Sequence, residues 1–301
     1  MQIIRGLSQI KRYRRPVVAL GVFDGLHYAH RRILEYIVKL SRSLGGTSIV
    51  ITFWPHPQKQ KSLYSLEYRL RLISELGIDV CIIIRFNKAF SRILAEDFVK
   101  NILVKRIGAH YVCVGRNFRF GKGARGNFKT LIKLSRLYNF KLKIFSVIKR
   151  NNLRISSSYI RRLIRHGKLE SAQRLLGQPV SVLGTVIKGT ALGRKLGFPT
   201  ANINPHHEVL PPPGVYAAKA LFNKKKLKGV CYIGSKPTFR NQASLSVEIY
   251  MFNFHRKIYG QNIEIQFLKK IRPEKKFSSS AALVRQIKKD ISLARKLLHL
   301  H

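Results

Sequence analysis

The pattern of hydrophobic residues changes between Gly177 and Pro179, and this change constrains the fold more than any other feature. Before it, short apolar runs alternate with segments in which apolar residues recur every three or four positions. After it, short apolar runs follow one another with only turn residues between them. The first pattern is typical of a parallel sheet with helical crossovers, and the second of an antiparallel barrel. Because 301 residues are enough for two cores, the sequence predicts two domains, 1–178 and 179–301.

The first domain alternates between predicted strands and predicted helices. Strands are expected at 17–22, 47–53, 80–86, 110–114 and 141–147. Helices are expected from residue 31 onward and at 66–76, 95–107 and 128–137. Strands that are joined by helices run parallel, because each crossover returns the chain to the same end of the sheet. The sequence therefore predicts a doubly wound α/β sheet, in which ligands bind beyond the carboxyl ends of the strands.

The second domain lacks such crossovers until its end. Strands are expected at 180–187, 214–222, 227–233, 244–254 and 262–268, with turn residues between them. A terminal helix follows, and its predicted apolar face contains Val284, Ile287, Ile291, Ala294 and Leu298. Short strands joined by turns close most readily as an antiparallel β-barrel. We therefore predict a barrel followed by one helix.

The turn after the first predicted strand carries glycines and two histidines. Residues 21–30 read GVFDGLHYAH, and a helix is predicted to follow. Free backbone N–H groups and the helix dipole favour an anion at a helix start. His27 and His30 could instead be ordinary polar residues, since zinc would need a third ligand and the nearest candidate, His56, lies in another loop. The position favours a phosphate over a metal.

Unusual residues also follow other predicted strands of the first domain. They lie at 52–57, 115–121 and 155–161. Because the carboxyl ends of parallel strands meet at one edge of a sheet, these segments and the histidine turn are expected to converge there. This convergence is stronger evidence for a binding site than any single motif.

Two segments have alternative interpretations. Residues 121–126 match G-x-G-x-x-G, but the segment does not directly follow a strand and lacks an acidic residue about 20 positions later, so a basic loop is the better interpretation. Ser156, Ser157 and Ser158 precede a predicted helix, and at least one of them is expected to be its N-cap. Together with Arg161, these hydroxyl groups could equally hold a triphosphate at the helix N-terminus.

The composition is strongly basic. The chain has 58 Lys and Arg residues against 13 Asp and Glu residues, which gives a formal net charge of +45. Such a balance is typical of proteins that bind nucleic acid or another polyanion. The basic residues are spread along the whole chain, which indicates a compositional bias that also suits anionic substrates. We therefore predict no specific nucleic-acid partner.

The apolar runs and the cysteines indicate the compartment. No run has the length of a signal-peptide core or of a membrane span, which predicts a cytoplasmic protein without a membrane partner. Cys81, Cys113 and Cys231 lie far apart in apolar runs, so buried reduced thiols are expected. The sequence leaves the oligomeric state open between a monomer and a weak oligomer.

The motifs of both halves resemble those of the bacterial riboflavin kinase/FAD synthetase family. In the first half they are G-x-F-D-G-x-H-x-x-H at 21–30, T-F-x-P-H-P at 52–57, G-x-[DN]-F-x-F-G at 115–121 and I-S-S-[ST]-x-I-R at 155–161. In the second half they are G-F-P-T-A-N at 197–202, G-V-Y-A at 214–217, I-G-x-[RK]-P-T-F at 233–239 and S-V-E at 246–248. The resemblance covers nearly the whole chain, with the motifs in family order.

For the first domain, the resemblance implies a Rossmann-like nucleotidyltransferase that adenylylates FMN to FAD and releases pyrophosphate. The implied catalytic residues are His27, His30 and Arg161. The implied ATP and phosphate ligands are Gly21, Phe23, Asp24, Gly25, Ser156, Ser157 and Ser158, and the implied flavin contacts are Asn117, Phe118 and Phe120. Ala29 stands where the family usually has glycine, and its methyl group is expected close to the phosphate.

For the second domain, the resemblance implies an ATP-dependent riboflavin kinase. The implied ATP ligands are Gly193, Arg194, Gly197 and Asn202, the implied flavin contact is Pro199, and the implied magnesium ligands are Thr200 and Asn202. Glu248 is the implied general base for the ribityl 5′-hydroxyl, because a loose phosphoryl-transfer transition state needs an oriented nucleophile more than a strong base. Without the resemblance, 193–202 would be a Gly/Pro loop and Glu248 a solvent-facing strand residue.

Four other positions depart from the family pattern, and none of them has an implied catalytic role. They are Thr190, Tyr232, Tyr250 and Asn253. The sequence therefore predicts a bifunctional enzyme that uses ATP and Mg²⁺ to convert riboflavin to FMN and FMN to FAD. One alternative is a riboflavin kinase whose adenylyltransferase half is impaired. Another, from a different class, is a polyanion-binding or nucleic-acid-binding protein on an inactive enzyme scaffold.

Overall fold

The chain forms two compact units. The computed structural model describes residues 1–58, 61–146, 149–150, 153–206, 209–236 and 244–299. By their contacts, Met1–Ser62 and Leu66–Ser157 form the first unit, and Leu63–Ser65 and Ser158–His301 form the second. The predicted division after Gln178 differs from this grouping, which assigns 158–178 to the second unit. As a boundary between two activities, that division stays a prediction.

The first unit contains a six-stranded sheet in which every pairing is parallel. Its strands are β1 (Gln2–Arg5), β2 (Val17–Leu20), β3 (Ser48–Trp54), β4 (Val80–Arg85), β5 (Tyr111–Gly115) and β6 (Lys141–Phe145). Their order across the sheet is β1-β4-β3-β2-β5-β6. All residues of β2 are buried, as expected for a strand that is covered on both faces. The parallel sheet predicted from the sequence is confirmed.

The predicted strand set is incomplete at one edge of this sheet. Strand β1 is not predicted from the sequence, because its apolar run is too short to show a period. In the structure, Ile4 is its one buried residue. Pairing with β4 stabilises β1, with Gln2 opposite Val80 and Arg5 opposite Ile83. At the other edge, β6 ends at Phe145, and position 147 of the predicted strand lies outside the described residues. A short ribbon of β7 (Lys149–Arg150) and β8 (Leu153–Arg154) follows.

Helices connect the strands of the first unit. They are α1 (Tyr28–Ser43), α2 (Leu66–Glu75), α3 (Lys88–Ser91), α4 (Ala95–Asp97) and α5 (Phe128–Leu137). The helix predicted at 95–107 is present, but after α4 it continues as a π-helix over Phe98–Ile107. Asn127 begins α5 with a capping box, in which its side chain and that of Thr130 satisfy each other's backbone N–H groups. The helix predicted from residue 31 begins at Tyr28, so His30 lies in its first turn.

The second unit is built on a closed antiparallel barrel. Its strands are β9 (Val180–Ile187), β10 (Ala201–Asn204), β11 (Gly214–Phe222), β12 (Lys225–Lys236), β13 (Ser244–Met251) and β14 (Asn262–Pro273). Neighbouring strands follow the order β10-β13-β12-β11-β14-β9 around the barrel. The predicted barrel is confirmed. The sequence analysis does not predict β10, which has only two buried residues, Asn202 and Ile203.

The helices of the second unit are α6 (Ser157–Arg165), α7 (Leu169–Leu176), α8 (Leu192–Lys195) and α9 (Ser280–Leu297). Helix α7 contacts β9 and β14, which is why the contacts group it with the barrel. Helix α9 contacts β11, β12 and β14. On its predicted apolar face, Ala294 and Leu298 are buried, whereas Val284, Ile287 and Ile291 are half-buried.

The three cysteines are free and buried, as predicted. Burial raises the pKa of both the Cys81 and the Cys113 thiols to about 12. These thiols are therefore protonated and unreactive at neutral pH. In the part of the chain that the structure describes, no helix combines the length and the apolar character needed to cross a membrane.

Candidate active sites

The turn between β2 and α1 is a tight, largely buried corner. Phe23 and Gly25 both have a left-handed backbone, with φ angles of 51° and 79°. A β-carbon at Gly21 would approach the Phe23 ring to 3.0 Å, so glycine allows this ring to fold back over the end of the strand. Asp24 is only 2% exposed. The predicted phosphate ligands of this segment therefore form a rigid corner at the carboxyl end of β2.

The two histidines stack on each other at the start of α1. Their ring centroids are 3.6 Å apart, and their planes are inclined by 15°. His27 precedes the helix and its Nδ1 accepts a hydrogen bond from the backbone N–H of His30, at 3.4 Å. The Phe23 ring packs edge to face against His30, with 5.3 Å between the centroids. The N-cap bond and this aromatic contact fix the orientation of the pair.

Both imidazoles are neutral at neutral pH. Burial lowers the pKa of His27 to about 4. The pKa of His30 lies well below its ordinary value because of burial, the neighbouring His27 and the positive charge of Arg69. His30 is half-buried as a residue, but its Nδ1 is fully buried and has no hydrogen-bond partner among the described residues. A neutral imidazole offers one donor and one acceptor nitrogen, so the pair can bind a phosphate oxygen without carrying charge.

Two hydroxyl groups attach other segments of the first unit to this turn. Thr52 Oγ1 donates to the Val22 carbonyl at 2.9 Å, and Ser157 Oγ donates to the Asp24 carbonyl at 2.9 Å. The predicted convergence at the carboxyl edge is thus observed for the ends of β2 and β3 and for the start of α6. Ser156 immediately precedes α6, and the assignments of Ser158 and Arg161, which lie further along α6, to a phosphate stay predictions.

Arg69 is not among the predicted site residues, and the structure places it beside the histidine turn. This residue of α2 is 0% exposed. Its Nη1 donates to the Val22 carbonyl, and its guanidinium carbon lies 5.7 Å from the centroid of the Trp54 ring. No sequence signal distinguishes it, because one arginine at helical spacing is inconspicuous in a chain with 58 Lys and Arg residues.

The predicted flavin contacts of the first domain follow β5, which is a neighbour of β2. The Phe118 and Phe120 rings are stacked, with centroids 5.6 Å apart. Phe120 is 7% exposed and belongs to the hydrophobic core, against which Phe118 packs. Asn117 is exposed. A flavin-binding role for these residues stays a prediction, and Phe120 also has a clear packing role.

The G-x-G-x-x-G segment forms a closed loop. Phe120 and Gly126 exchange backbone hydrogen bonds of 3.1 and 2.9 Å. A β-carbon would lie 2.7 Å from Ala95 at Gly121 and 2.8 Å from it at Gly126. Close packing therefore accounts for these two glycines, which favours the loop interpretation over a dinucleotide fingerprint.

A pocket open to solvent lies beside the loop that follows β9 in the second unit. The residues that line it are Ile187, Gly189, Ala191, Arg194, Pro199, Thr200, Asn202 and Tyr259. This pocket therefore brings together the predicted ATP ligand Arg194, the predicted flavin contact Pro199 and both predicted magnesium ligands. The 193–202 segment forms one wall of a pocket.

Backbone geometry explains the glycines of this wall. The Phe198 N–H donates to the Gly193 carbonyl at 2.7 Å, and a β-carbon at Gly193 would lie 2.5 Å from the Phe198 carbonyl oxygen. Gly197 has a φ of 86°, a left-handed conformation that favours glycine. A β-carbon at Gly189 would overlap the Asn202 amide. These three glycines leave room for the turn and for the Asn202 side chain.

Strand pairing positions Glu248 next to the cavity. Glu248 of β13 lies opposite Asn202 of β10, and Thr200 Oγ1 donates to Glu248 Oε2 at 3.2 Å. Val247 and Ile249 are fully buried, so the alternation along β13 turns Glu248 to the other face of the strand, where it is half-buried. The implied base and the implied metal ligands therefore meet in one group.

The donor atoms of this group suit a magnesium ion. Hydroxyl, amide and carboxylate oxygens are the ligands that hard cations take, and Mg²⁺ usually keeps several waters and binds substrate phosphates as well. Among the described residues, no cluster of three or more His, Cys, Asp or Glu side chains could hold a metal by itself. Thr200 and Asn202 therefore fit a magnesium ion that shares its coordination with phosphate.

The sequence analysis notes Tyr232 only as a departure from the family pattern. In the structure, Tyr232 of β12 lies directly opposite Glu248, and its hydroxyl group hydrogen-bonds to Glu274 Oε1. Burial, together with this hydrogen bond, raises the pKa of Tyr232. A row of Asn202, Glu248 and Tyr232 thus crosses three neighbouring strands, and only tertiary pairing could place Tyr232 beside the implied base.

Comparisons with known proteins match this two-site organisation. Residues 9–159 match the family model described as FAD synthetase, and residues 176–298 match the one described as riboflavin kinase. A bifunctional riboflavin kinase/FMN adenylyltransferase from Buchnera aphidicola subsp. Schizaphis graminum (strain Sg) is 37% identical to the chain over the full length of both. The chain belongs to this family.

Other members of the bifunctional riboflavin kinase/FMN adenylyltransferase family are also similar over the whole chain. The Escherichia coli (strain K12) protein of that name is 33% identical over 100% of this chain and 99% of its own length. A crystal structure described as a macrolide-efflux protein from Streptococcus pneumoniae superposes with a TM-score of 0.86 at 26% identity, covering 98% of this chain and 99% of that one. The resemblance inferred from the motifs is therefore confirmed.

Proposed function

We propose that the chain is a bifunctional enzyme of FAD biosynthesis, which phosphorylates riboflavin in its second unit and adenylylates the resulting FMN in its first. The observation that carries this proposal is the match of each half to its own family model. The relatives that are similar over the full chain support two activities over a kinase with an impaired adenylyltransferase half. They also support an enzyme over a polyanion-binding protein on an inactive scaffold.

In the kinase unit, the oxygen of the ribityl 5′-hydroxyl group bonds to the γ-phosphorus of ATP, and the bond between that phosphorus and ADP breaks. Glu248 accepts the proton of the hydroxyl group. The hydrogen bond from Thr200 restrains the Glu248 carboxylate, which leaves Oε1 to receive that proton. Thr200 and Asn202 would hold a magnesium ion, which neutralises phosphate charge when bound. Arg194, with the backbone at Gly193 and Gly197, binds the ATP phosphates, and Pro199 contacts the flavin.

In the adenylyltransferase unit, an FMN phosphate oxygen attacks the α-phosphorus of ATP, and pyrophosphate leaves. The neutral imidazoles of His27 and His30 donate hydrogen bonds to the phosphate oxygens, at the positive end of the α1 dipole. The turn from Gly21 to Gly25, including Phe23 and Asp24, shapes this site. Ser156 and Ser157, at the end of this unit, supply further donors, and Asn117, Phe118 and Phe120 form the flavin side.

The substrates also bear on location and partners. ATP, riboflavin and FMN are small molecules, and the scattered basic residues of this chain suit the anions ATP and FMN without a dedicated nucleic-acid surface. We therefore propose a cytoplasmic enzyme with neither a membrane partner nor a specific nucleic-acid partner.

Product chromatography tests the proposed function directly. The purified chain is incubated with riboflavin, ATP and MgCl₂, and in a parallel reaction with FMN in place of riboflavin. We expect FMN followed by FAD in the first reaction, FAD in the second, and neither product when EDTA is added. FMN without FAD would instead support an impaired adenylyltransferase half, and the absence of both products would contradict the enzyme hypothesis.

A further inference from the structure

Arg69 carries a positive charge into the interior of the first unit. Among the described residues it is the largest fully buried side chain, at 0% exposed. Its Nη1 donates to the Val22 carbonyl, but its Nε and Nη2 are buried without a hydrogen-bond partner in the described ranges. Burial lowers the pKa of Arg69, while the Asp24 carboxylate favours its charged form. Because arginine does not lose its proton in proteins, this buried group is a cation.

A buried cation destabilises the folded state if its role is only to fill space. Burying a charge without full hydrogen bonding costs several kcal/mol, and well-packed apolar residues of similar size often stabilise a core better. Leu66, Leu70 and Ile73 on the same helix are buried and apolar. A methionine or leucine at position 69 would continue that face. The charge therefore needs an explanation other than packing.

The position of Arg69 relates this charge to the histidine pair. It contacts the carbonyl of Val22, in the turn that leads to His27 and His30. It is also one of the groups that oppose protonation of His30. Since the two imidazoles are neutral, they contribute donors but no charge. Arg69 adds a buried positive charge to the turn that carries them.

We propose that Arg69 is a positioning residue for adenylyl transfer. It restrains the histidine turn at Val22 and adds to that turn a buried positive charge that favours the reacting phosphoryl group. This inference rests on the proposed adenylyltransferase function. A charge in a low-dielectric interior acts over several ångströms with little screening by salt. Because folding has already ordered it, no reorganisation is needed when negative charge develops on the phosphate.

Three variants separate charge from packing. Arg69→Met removes the charge while keeping a long side chain, and Arg69→Lys keeps the charge. Arg71→Met is the matched control on the same helix, because the Arg71 side chain is 38% exposed and its Nε lies 3.6 Å from Oε1 of the exposed Glu75. For each variant, FAD formation from FMN and ATP, riboflavin phosphorylation and thermal unfolding are measured on one preparation.

We expect Arg69→Met to lower kcat/KM for FAD formation by about 10²-fold, the usual size of one lost electrostatic contact at a transition state. Arg69→Lys should recover at least a tenth of the wild-type value, and Arg71→Met should match the wild type. Riboflavin phosphorylation should be unchanged in all three. A folded Arg69→Met variant that forms FAD at the wild-type rate would overturn the proposal, as would a folded Arg69→Lys variant that is as inactive as Arg69→Met.

A second measurement, the pKa of His30, reports on the charge of residue 69. The titratable and charged groups that act on His30 are His27 in the same turn and Arg69 of α2. Loss of a positive neighbour makes protonation easier, so the His30 pKa measured by NMR should rise in Arg69→Met and stay low in Arg69→Lys. If Arg69→Met does not fold, Arg69→Lys decides by its activity and its His30 pKa. Absence of FAD in the wild type would overturn the proposed function, whereas equal FAD formation in wild type and Arg69→Met would overturn only the role of Arg69.

Discussion

The Glu248 carboxylate is restrained by one hydrogen bond and aligned by two neighbouring strands. Thr200 binds one of its oxygens, and Asn202 and Tyr232 flank it across the barrel. A group with this restraint can direct a hydroxyl group toward a phosphorus atom without being a strong base. The residue-scale predictions therefore concern orientation and ligand loss, in substitutions that keep the side-chain shape.

Glu248→Gln keeps the shape of the side chain but removes its capacity to accept a proton. We expect riboflavin binding to persist and FMN formation to fall by roughly 10²–10⁴-fold, the range for a lost general base. Initial rates of riboflavin phosphorylation measure the effect. FAD formation from supplied FMN is the internal control and should be unchanged. Phosphorylation at the normal rate would show that Glu248 is not the base.

Thr200→Val keeps the shape of the threonine but removes its oxygen. Because that oxygen is a proposed magnesium ligand, kinase activity should need more magnesium, at little cost in folding. Titration of MgCl₂ at fixed ATP measures the shift. Thr185→Val is the matched control, since the Thr185 hydroxyl group binds Asn262 on β14. An unchanged magnesium profile would return Thr200 to a structural role in the loop.

At the scale of elements, α9 is attached to the barrel by a charged pair as well as by apolar contacts. Arg272 of β14 donates from Nε and Nη2 to the Asp290 carboxylate, at 2.9 to 3.0 Å. Gln286 adds a third donor, at 2.9 Å. Asp290 is 4% exposed, and Ala294 and Leu298 are buried further along the same helix. Helix α9 thus buries the Asp290 carboxylate, and its ion-pair partner Arg272 is partly exposed.

Asp290→Ala should weaken this attachment strongly, because it leaves the Arg272 charge without a partner. Removing one member of a buried pair costs about 3–5 kcal/mol, and the partial exposure of Arg272 favours the lower end. Urea unfolding followed by circular dichroism and by loss of kinase activity measures the change. The double variant Arg272→Leu/Asp290→Leu should be more stable than Asp290→Ala. If Asp290→Ala unfolds at the wild-type urea concentration, the pair does not hold α9.

At the scale of the whole molecule, the net charge of +45 and the adenylyltransferase site respond differently to salt. Binding of DNA or RNA by scattered basic residues depends on phosphate contacts and weakens steeply as salt rises. A triphosphate held at helix N-termini and by buried side chains is partly shielded from bulk ions. Charge-driven association and adenylyl transfer should therefore separate.

We expect FAD synthesis from FMN to survive about 0.2 M salt while nucleic-acid binding largely disappears. Rates of FAD formation and fluorescence anisotropy of a labelled oligonucleotide measure the two properties side by side. His30→Ala should abolish the synthesis and leave the binding unchanged. Tight, sequence-selective binding at that salt together with no FAD would contradict the enzyme hypothesis for the first domain and would make Ala29 the decisive departure.

Local patterns in the sequence determined the two fold classes, and the resemblance of the motifs to a known family supplied the proposed site residues. Periods of two and about 3.6 residues identify strands and helices because side-chain direction repeats along each element. Motifs such as Gly21–His30 and Gly197–Asn202 are recognisable because a phosphate turn restricts several consecutive residues at once. Nearly every core strand and the site segments could therefore be predicted without any contact between distant residues.

Tertiary structure alone decided the features that depend on distant partners. Strand β1 is stabilised by pairing with β4, and β10 lies between β9 and β13. The apolar runs of both strands are too short to predict a strand from the sequence. Burial keeps His27 neutral, and burial together with His27 and the sequence-distant Arg69 keeps His30 neutral. Tyr232 lies beside Glu248 only because β12 pairs with β13. Burial and charge environment depend on which segments the fold brings together, and residue order along one element does not contain that information.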